Sequence, residues 1–325
     1  MDEGAAQPLM LAARVVPMPS YLSAEAQALL TPRPPAQGDY PPAEDKAAWR
    51  AVIAERENGL LPLLERMNSV QGATVETRRE NGATVYDITP AQVDGGGVIL
   101  DLHGGGLFLC GGDLCRLMST GIATKLRRHV WSVDYRMPPD HPYPAALDDC
   151  LSGYRALLDA VGADRIIVHG SSAGGNLAGA LVLRARDEGL PLPAGLVLNT
   201  PEIDLTESGD SFHTNNGLDP ALRSLMPVNL LYADGQDLAH PYLSPLFGDF
   251  GKGFPPTLLT TGTRDLYLSN TVRMHRALRA AGVPAELHVV EAGGHGGFPG
   301  APEGEDISRE IRRFVAERLA ENGRA

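Results

Sequence analysis

From residue 73 onward, short apolar runs alternate with stretches of helical periodicity, and this constrains the fold more than any other feature of the chain. The runs occupy residues 73–77, 84–89, 98–103, 130–135, 165–169, 196–199, 257–261 and 286–291. The later ones are continuous rather than alternating, as strands are when helices cover both faces of their sheet. Helical patterns lie between them at 116–128, 145–160, 174–188, 270–281 and 305–322. Strand-helix alternation of this kind predicts an α/β fold with a mostly parallel sheet and right-handed crossovers. Asn81-Gly82, between the first two runs, is a hairpin signal.

Two segments stand outside the alternation. Residues 1–70 hold helical patterns interrupted by a Pro-rich stretch at 31–42, and 43–67 reads as an amphipathic helix breaking near Gly59 and Pro62. Residues 201–256 carry one helical pattern, 219–232, and then a Pro- and Gly-rich tail. An insertion of that length in a compact α/β unit is usually functional, often a lid.

Charge and cysteine content exclude several function classes. With 28 Lys and Arg against 40 Asp and Glu, the net charge is −12, which repels nucleic acid. The longest apolar runs fall short of the ~20 residues of a membrane span. Asp2 and Glu3 open the chain, and the apolar run 9–13 is too short for a secretory signal. Cys110, Cys115 and Cys150 form no C-x-x-C, so neither a disulfide framework nor a zinc ribbon is expected. Free thiols in a reducing compartment, the cytoplasm, are expected instead.

The 37 glycines and 26 prolines could signify low complexity, and the placement of the glycines decides otherwise. Gly170-Ser171-Ser172-Ala173-Gly174 follows an apolar run and opens a helical pattern, the context that G-x-S-x-G requires. The turn there is sharp, so Gly170 and Gly174, two residues either side of Ser172, must lack side chains. No Gly-Lys-Ser/Thr follows, which excludes a P-loop. His103-Gly104-Gly105-Gly106 ends another run, and chance supplies that tetrapeptide in about one such chain in a hundred. Glycines there let backbone N–H groups approach a substrate and stabilise an oxyanion, and His103 orders their loop through hydrogen bonds.

A serine nucleophile needs a base, and the base an orienting carboxylate. His295, in Gly293-Gly294-His295-Gly296-Gly297 after the last apolar run, is the favoured base among nine histidines. Asp265 follows the run 257–261 and is the favoured acid; Asp234 and Asp237 are weaker candidates, and Asp204 holds the entry of the insertion. The order Ser172, Asp265, His295 is that of α/β-hydrolases. No H-E-x-x-H occurs, so no metal site is expected.

These blocks, together with Asp134-Tyr135-Arg136-Met137-Pro138-Pro139-Asp140-His141-Pro142-Tyr143-Pro144-Ala145-Ala146, resemble the bacterial hormone-sensitive-lipase-like esterases, α/β-hydrolases with a helical cap. The likeness runs from about residue 73 to the C-terminus. It implies a mostly parallel eight-stranded sheet flanked by helices, formed by a core of 61–201 and 251–325. Residues 1–60 would supply N-terminal cap helices and 202–250 the cap insertion. Ser172 would be nucleophile, His295 base and Asp265 its partner; the amides of Gly105, Gly106 and Ala173 would form the oxyanion hole. Asp134-Tyr135-Arg136 and His141-Pro142 would be scaffold. No cofactor is implied. The expected substrate is a small carboxylic ester of short to medium acyl chain, a lactone being a close variant and amide or N-acetyl hydrolysis an alternative. A non-catalytic ligand receptor on the same fold is disfavoured by the presence of His295. Family members often form homodimers, and no edge or patch signal decides that here. Ser171 replaces the family's usual Asp or Thr, and Asp265-Leu266-Tyr267 its Asp-Pro-Leu.

Overall fold

The structure is a computed structural model that describes residues 13, 15–31, 40–67 and 72–321. The apolar run 9–13, apart from Ala13, and most of the Pro-rich stretch 31–42 lie outside the described residues. The chain begins with α1 (Ala24–Leu29) and α2 (Lys46–Met67), then β1 (Thr74–Glu80), β2 (Ala83–Thr89) and β3 (Val98–Leu102). There follow α3 (Asp113–Leu126), β4 (His129–Asp134), α4 (Ala145–Val161), β5 (Ile166–Ser171), α5 (Ala173–Asp187) and β6 (Gly195–Asn199). The insertion carries α6 (Ser211–Thr214) and α7 (Met226–Ala233). The chain ends with β7 (Thr257–Gly262), α8 (Leu268–Ala280), β8 (Ala285–Val290) and α9 (Pro302–Glu321).

All eight expected strands form one sheet, ordered β1-β2-β4-β3-β5-β6-β7-β8. The β1–β2 and β2–β4 pairs are antiparallel and the rest parallel. Asn81 and Gly82 both take positive φ, the conformation a two-residue hairpin needs. Alternate side chains of the buried strands feed two apolar layers. Leu100, Val168 and Leu198 meet α4, α5 and α8, while Ile99, Ile167 and Val197 meet α3 and α9. The continuous apolar runs are thus explained: each central strand is buried on both faces.

Two expectations need correction. Helix α2 does not break near Gly59 or Pro62 but runs unbroken through both. Its Trp49, Ile53, Leu60, Leu61 and Leu64 join one apolar cluster with Phe108 and Leu109. Packing along that face outweighs the single hydrogen bond Pro62 forfeits. The pattern at 219–232 becomes a helix only from Met226. Asp219 instead accepts the N–H groups of Ala221 and Leu222 with its side chain, closing a turn where a helix was expected. The three cysteines are free and buried, and no described helix is long and apolar enough to cross a membrane.

Candidate active site

The parallel strands deliver their C-terminal ends to one edge of the sheet, and three loops converge there. Ser172 follows β5 and caps α5 with φ +57° and ψ −122°, a strained conformation for a residue with a side chain. Close packing enforces it: a Cβ on Gly174 would lie 1.8 Å from the Leu102 carbonyl oxygen, and one on Gly170 would lie 2.1 Å from that of Gly174. The serine hydroxyl is therefore held out from the sheet at a helix N-terminus.

His295 Nε2 lies 2.9 Å from Ser172 Oγ, and its Nδ1 lies 3.2 Å from Asp265 Oδ1. Asp265 is fully buried and fixed from both sides. Its Oδ2 accepts from Thr261 Oγ1 at 2.8 Å, and its Oδ1 from the Tyr267 N–H at 2.9 Å. Burial pulls the His295 pKa down, but the hydrogen bond and charge of Asp265, with the charges of Asp219 and Glu202, outweigh it and leave the ring above its ordinary value. The structure thus joins the three residues expected to form a relay, although they lie up to 123 positions apart.

The glycine loop packs against this elbow. A Cβ on Gly104 would come 3.1 Å from the Ser171 carbonyl oxygen. Gly105 and Gly106 have φ of +129° and +62°, and among the described residues their N–H groups and that of Ala173 donate to no other residue. His103 is bound into the loop. Its Nδ1–H donates to the Gly104 carbonyl at 2.7 Å, its ring stacks on Tyr135, and the Tyr135 hydroxyl donates to its own carbonyl. A Cβ at residue 105 would sit 2.2 Å from the Leu109 carbonyl oxygen, so Gly105→Ala should displace the loop. On the expectation that the residue 105 N–H is an oxyanion donor, kcat on a p-nitrophenyl ester should fall on the order of a hundredfold. A near-normal rate would remove Gly105 from that role.

The other candidates separate from the site. Asp234 caps α7, and Asp237 binds the Ala239 N–H in an exposed turn. Asp204 accepts from Thr206, Ser208 and Arg273 at the mouth of the insertion, as expected. Ser171 bonds Asn199 of β6, while Arg136 and Asp149 form a two-pronged ion pair beneath the loops. One group among the described residues places a His, a Cys and a carboxylate together: His103, Cys115 and Asp134, each with one donor atom within 4.8 Å of the others. Asp134 and Cys115 already serve the scaffold, whereas His103 engages through Nδ1 and its buried Nε2 has no hydrogen-bond partner among the described residues. Asp134 accepts from the Gly112 N–H and the Tyr86 hydroxyl, and Cys115 Sγ lies 3.4 Å from Ser132 Oγ.

Sequence reasoning missed Asp219. Fully buried, it accepts the N–H groups of both His295 (3.0 Å) and Leu266 (2.9 Å) on one oxygen. The insertion thereby ties together the two loops that carry the base and its carboxylate. The Asp219-Pro220 pair was the available signal, since an Asp before proline favours a turn. Glu57 of α2 was also missed; it accepts the N–H of Cys110 at 2.8 Å, at the far end of the glycine loop.

An α/β-hydrolase-fold family profile matches residues 99–299. An esterase of Acinetobacter venetianus is 34% identical over 238 residues, spanning 70% of this chain and 77% of the relative. Among solved structures, esterase E25 is 36% identical with a TM-score of 0.89, covering 95% of this chain and 98% of its own. An esterase from the bacterial hormone-sensitive lipase family is 30% identical with a TM-score of 0.75, covering 87% and 94%.

Proposed function

The chain belongs to the α/β-hydrolase family, in its hormone-sensitive-lipase-like branch, and from that premise we propose that it hydrolyses carboxylic esters through Ser172, His295 and Asp265. The observation that carries the assignment is the continuous contact from Asp265 Oδ1 through both ring nitrogens of His295 to Ser172 Oγ. His295 Nε2 takes the serine proton as Oγ attacks the ester carbonyl, and Asp265 holds the imidazolium. The free N–H groups of Gly105, Gly106 and Ala173 receive the oxyanion. Collapse of the tetrahedral intermediate expels the alcohol, which takes its proton from His295 and leaves an acyl-serine. Water then repeats the cycle and frees the acid. The nucleophile is activated by its neighbours, so the scheme needs no cofactor.

Residues from α2 and the insertion build the cap in this reading. Trp49, Phe108, Leu225, Val228, Leu231 and Tyr267 form one apolar cluster, and Leu225 reaches within 3.2 Å of where a Gly106 side chain would begin. A roof that close favours short to medium acyl chains. A cytoplasmic location fits the three free cysteines, and a homodimer could pair through the edge strand β8, where Val289 is exposed.

A panel of p-nitrophenyl esters of increasing chain length, lactones and N-acetyl amides tests the assignment, with Ser172→Ala as control. Butyrate-sized esters are expected to lead. A rate that climbs steadily to the palmitate ester would refute the proposed chain-length limit, and turnover of amides alone would refute ester hydrolysis.

A further inference from the structure

Glu202 leaves β6 three residues after its last strand position, directly behind the nucleophile. Its N–H donates to the Ser172 carbonyl at 3.1 Å, and Asn176 Nδ2 donates to its own carbonyl at 2.8 Å. The side chain is 1% exposed. Its carboxyl group faces the Tyr267 hydroxyl and the Asn229 amide, yet both of its oxygens, the Tyr267 hydroxyl and Asn229 Oδ1 all lack a closed hydrogen bond. Buried polar contacts that fall short of full hydrogen-bond geometry are costly, so this group behind an active site requires a functional account. Tyr267 links the group to the relay. Its ring stands edge-on to His295 at 5.0 Å, and its N–H binds Asp265 Oδ1.

We propose that Glu202 is a positioning residue for hydrolysis, holding His295 on Ser172 through Tyr267 and stabilising, across space, the imidazolium formed when that ring takes the serine proton. The inference rests on the triad reading above. Glu202 transfers no proton; its contribution is a negative charge in a site with little water to screen it, where charges act more strongly than at the surface. The groups facing it are Tyr267 before α8, Asn229 on α7, Glu207 in the insertion and His295 on the last loop. Those facing His295 are Asp265, Asp219 and Glu202. Burial pushes the Glu202 carboxyl up to about 7 and Glu207 adds to this, while Tyr267, His295 and Asn229 pull it back. Its charge is therefore present on the alkaline side of neutrality, where His295 is neutral and able to act as a base.

Glu202→Gln keeps the shape and removes the charge. Its kcat on p-nitrophenyl butyrate is expected to fall about tenfold with KM unchanged, the factor matching one pKa unit of lost imidazolium stabilisation. The acid limb of the pH profile should move to lower pH, because the lost carboxylate no longer raises His295. Proton NMR of the His295 ring in a Ser172→Ala background should show the same downward shift without any catalysis. Glu202→Asp should restore part of the rate and of the shift. A His295 titration and a pH profile unmoved by Glu202→Gln would overturn the proposal, even if the rate fell. If that variant fails to fold, Tyr267→Phe substitutes for it: it keeps the ring on His295 and removes the hydroxyl facing Glu202. A smaller downward shift is then expected, and none would overturn the proposal. Error in the triad itself shows separately, as hydrolysis surviving Ser172→Ala.

Discussion

Replacing Ser172 by alanine is expected to lower kcat on a p-nitrophenyl ester on the order of 10⁶-fold, the loss seen when the nucleophile of a serine triad is removed. The fold should be unaffected. Among the described residues the hydroxyl hydrogen-bonds only His295 Nε2, and the surrounding turn is held by backbone bonds from the Ser172 N–H to Asn199 and from the Gly175 N–H to Ser172. Circular dichroism and thermal unfolding should therefore match the wild type. Ser172→Gly separates strain from chemistry. At φ +57° a glycine relieves about 1 kcal/mol of backbone strain, so this variant should melt higher while being equally inactive. Substantial turnover by either variant would show that the nucleophile is another residue.

Asp265→Asn is expected to reduce kcat by about 10⁴-fold. The carboxylate accepts three hydrogen bonds, from Thr261, Tyr267 and His295, and an amide can present only one accepting oxygen. If the amide nitrogen faces His295, the ring proton shifts to Nε2, which then cannot accept from Ser172. The pH dependence follows from charge. Desolvation lowers the His295 pKa, but Asp265 leads the groups that outweigh it, so the wild-type ring titrates above its ordinary value. Its base form is then lost as pH falls through that raised pKa, and Asp265→Asn should move the residual acid limb to lower pH. Asp237→Asn is the control, since the Asp237 side chain closes an exposed turn with Ala239. An inactive Asp237→Asn beside a near-normal Asp265→Asn would reverse the choice of acid.

Ser172, Asp265 and His295, the proposed triad, are legible in the sequence because their loops make local demands on the backbone. Only glycine tolerates the 1.8 Å approach at Gly174 or the φ of +129° at Gly105, so those residues announce themselves in the sequence. Helix α2 was misread for the opposite reason. Gly59 and Pro62 are local breakers, and what overrides them is contact with Phe108 and Leu109, about fifty positions away. The partners of Asp219 and Glu202 were invisible in the same sense, although Asp219-Pro220 marks a turn. An aspartate in a helix-like pattern and a glutamate after a proline carry no mark of the loops they will meet.

The chain by itself determined the eight-stranded sheet and the elbow and glycine loops, and it singled out the three residues proposed as nucleophile, base and acid. Apolar runs and glycines encode those features in the chemistry of each segment. Tertiary structure decided that Asp219 ties the base loop to the acid loop, that Glu57 holds the far end of the glycine loop, and that Glu202 lies behind the nucleophile. A carboxylate is defined by its partners, and those are set by which distant segments the folded sheet brings to one edge.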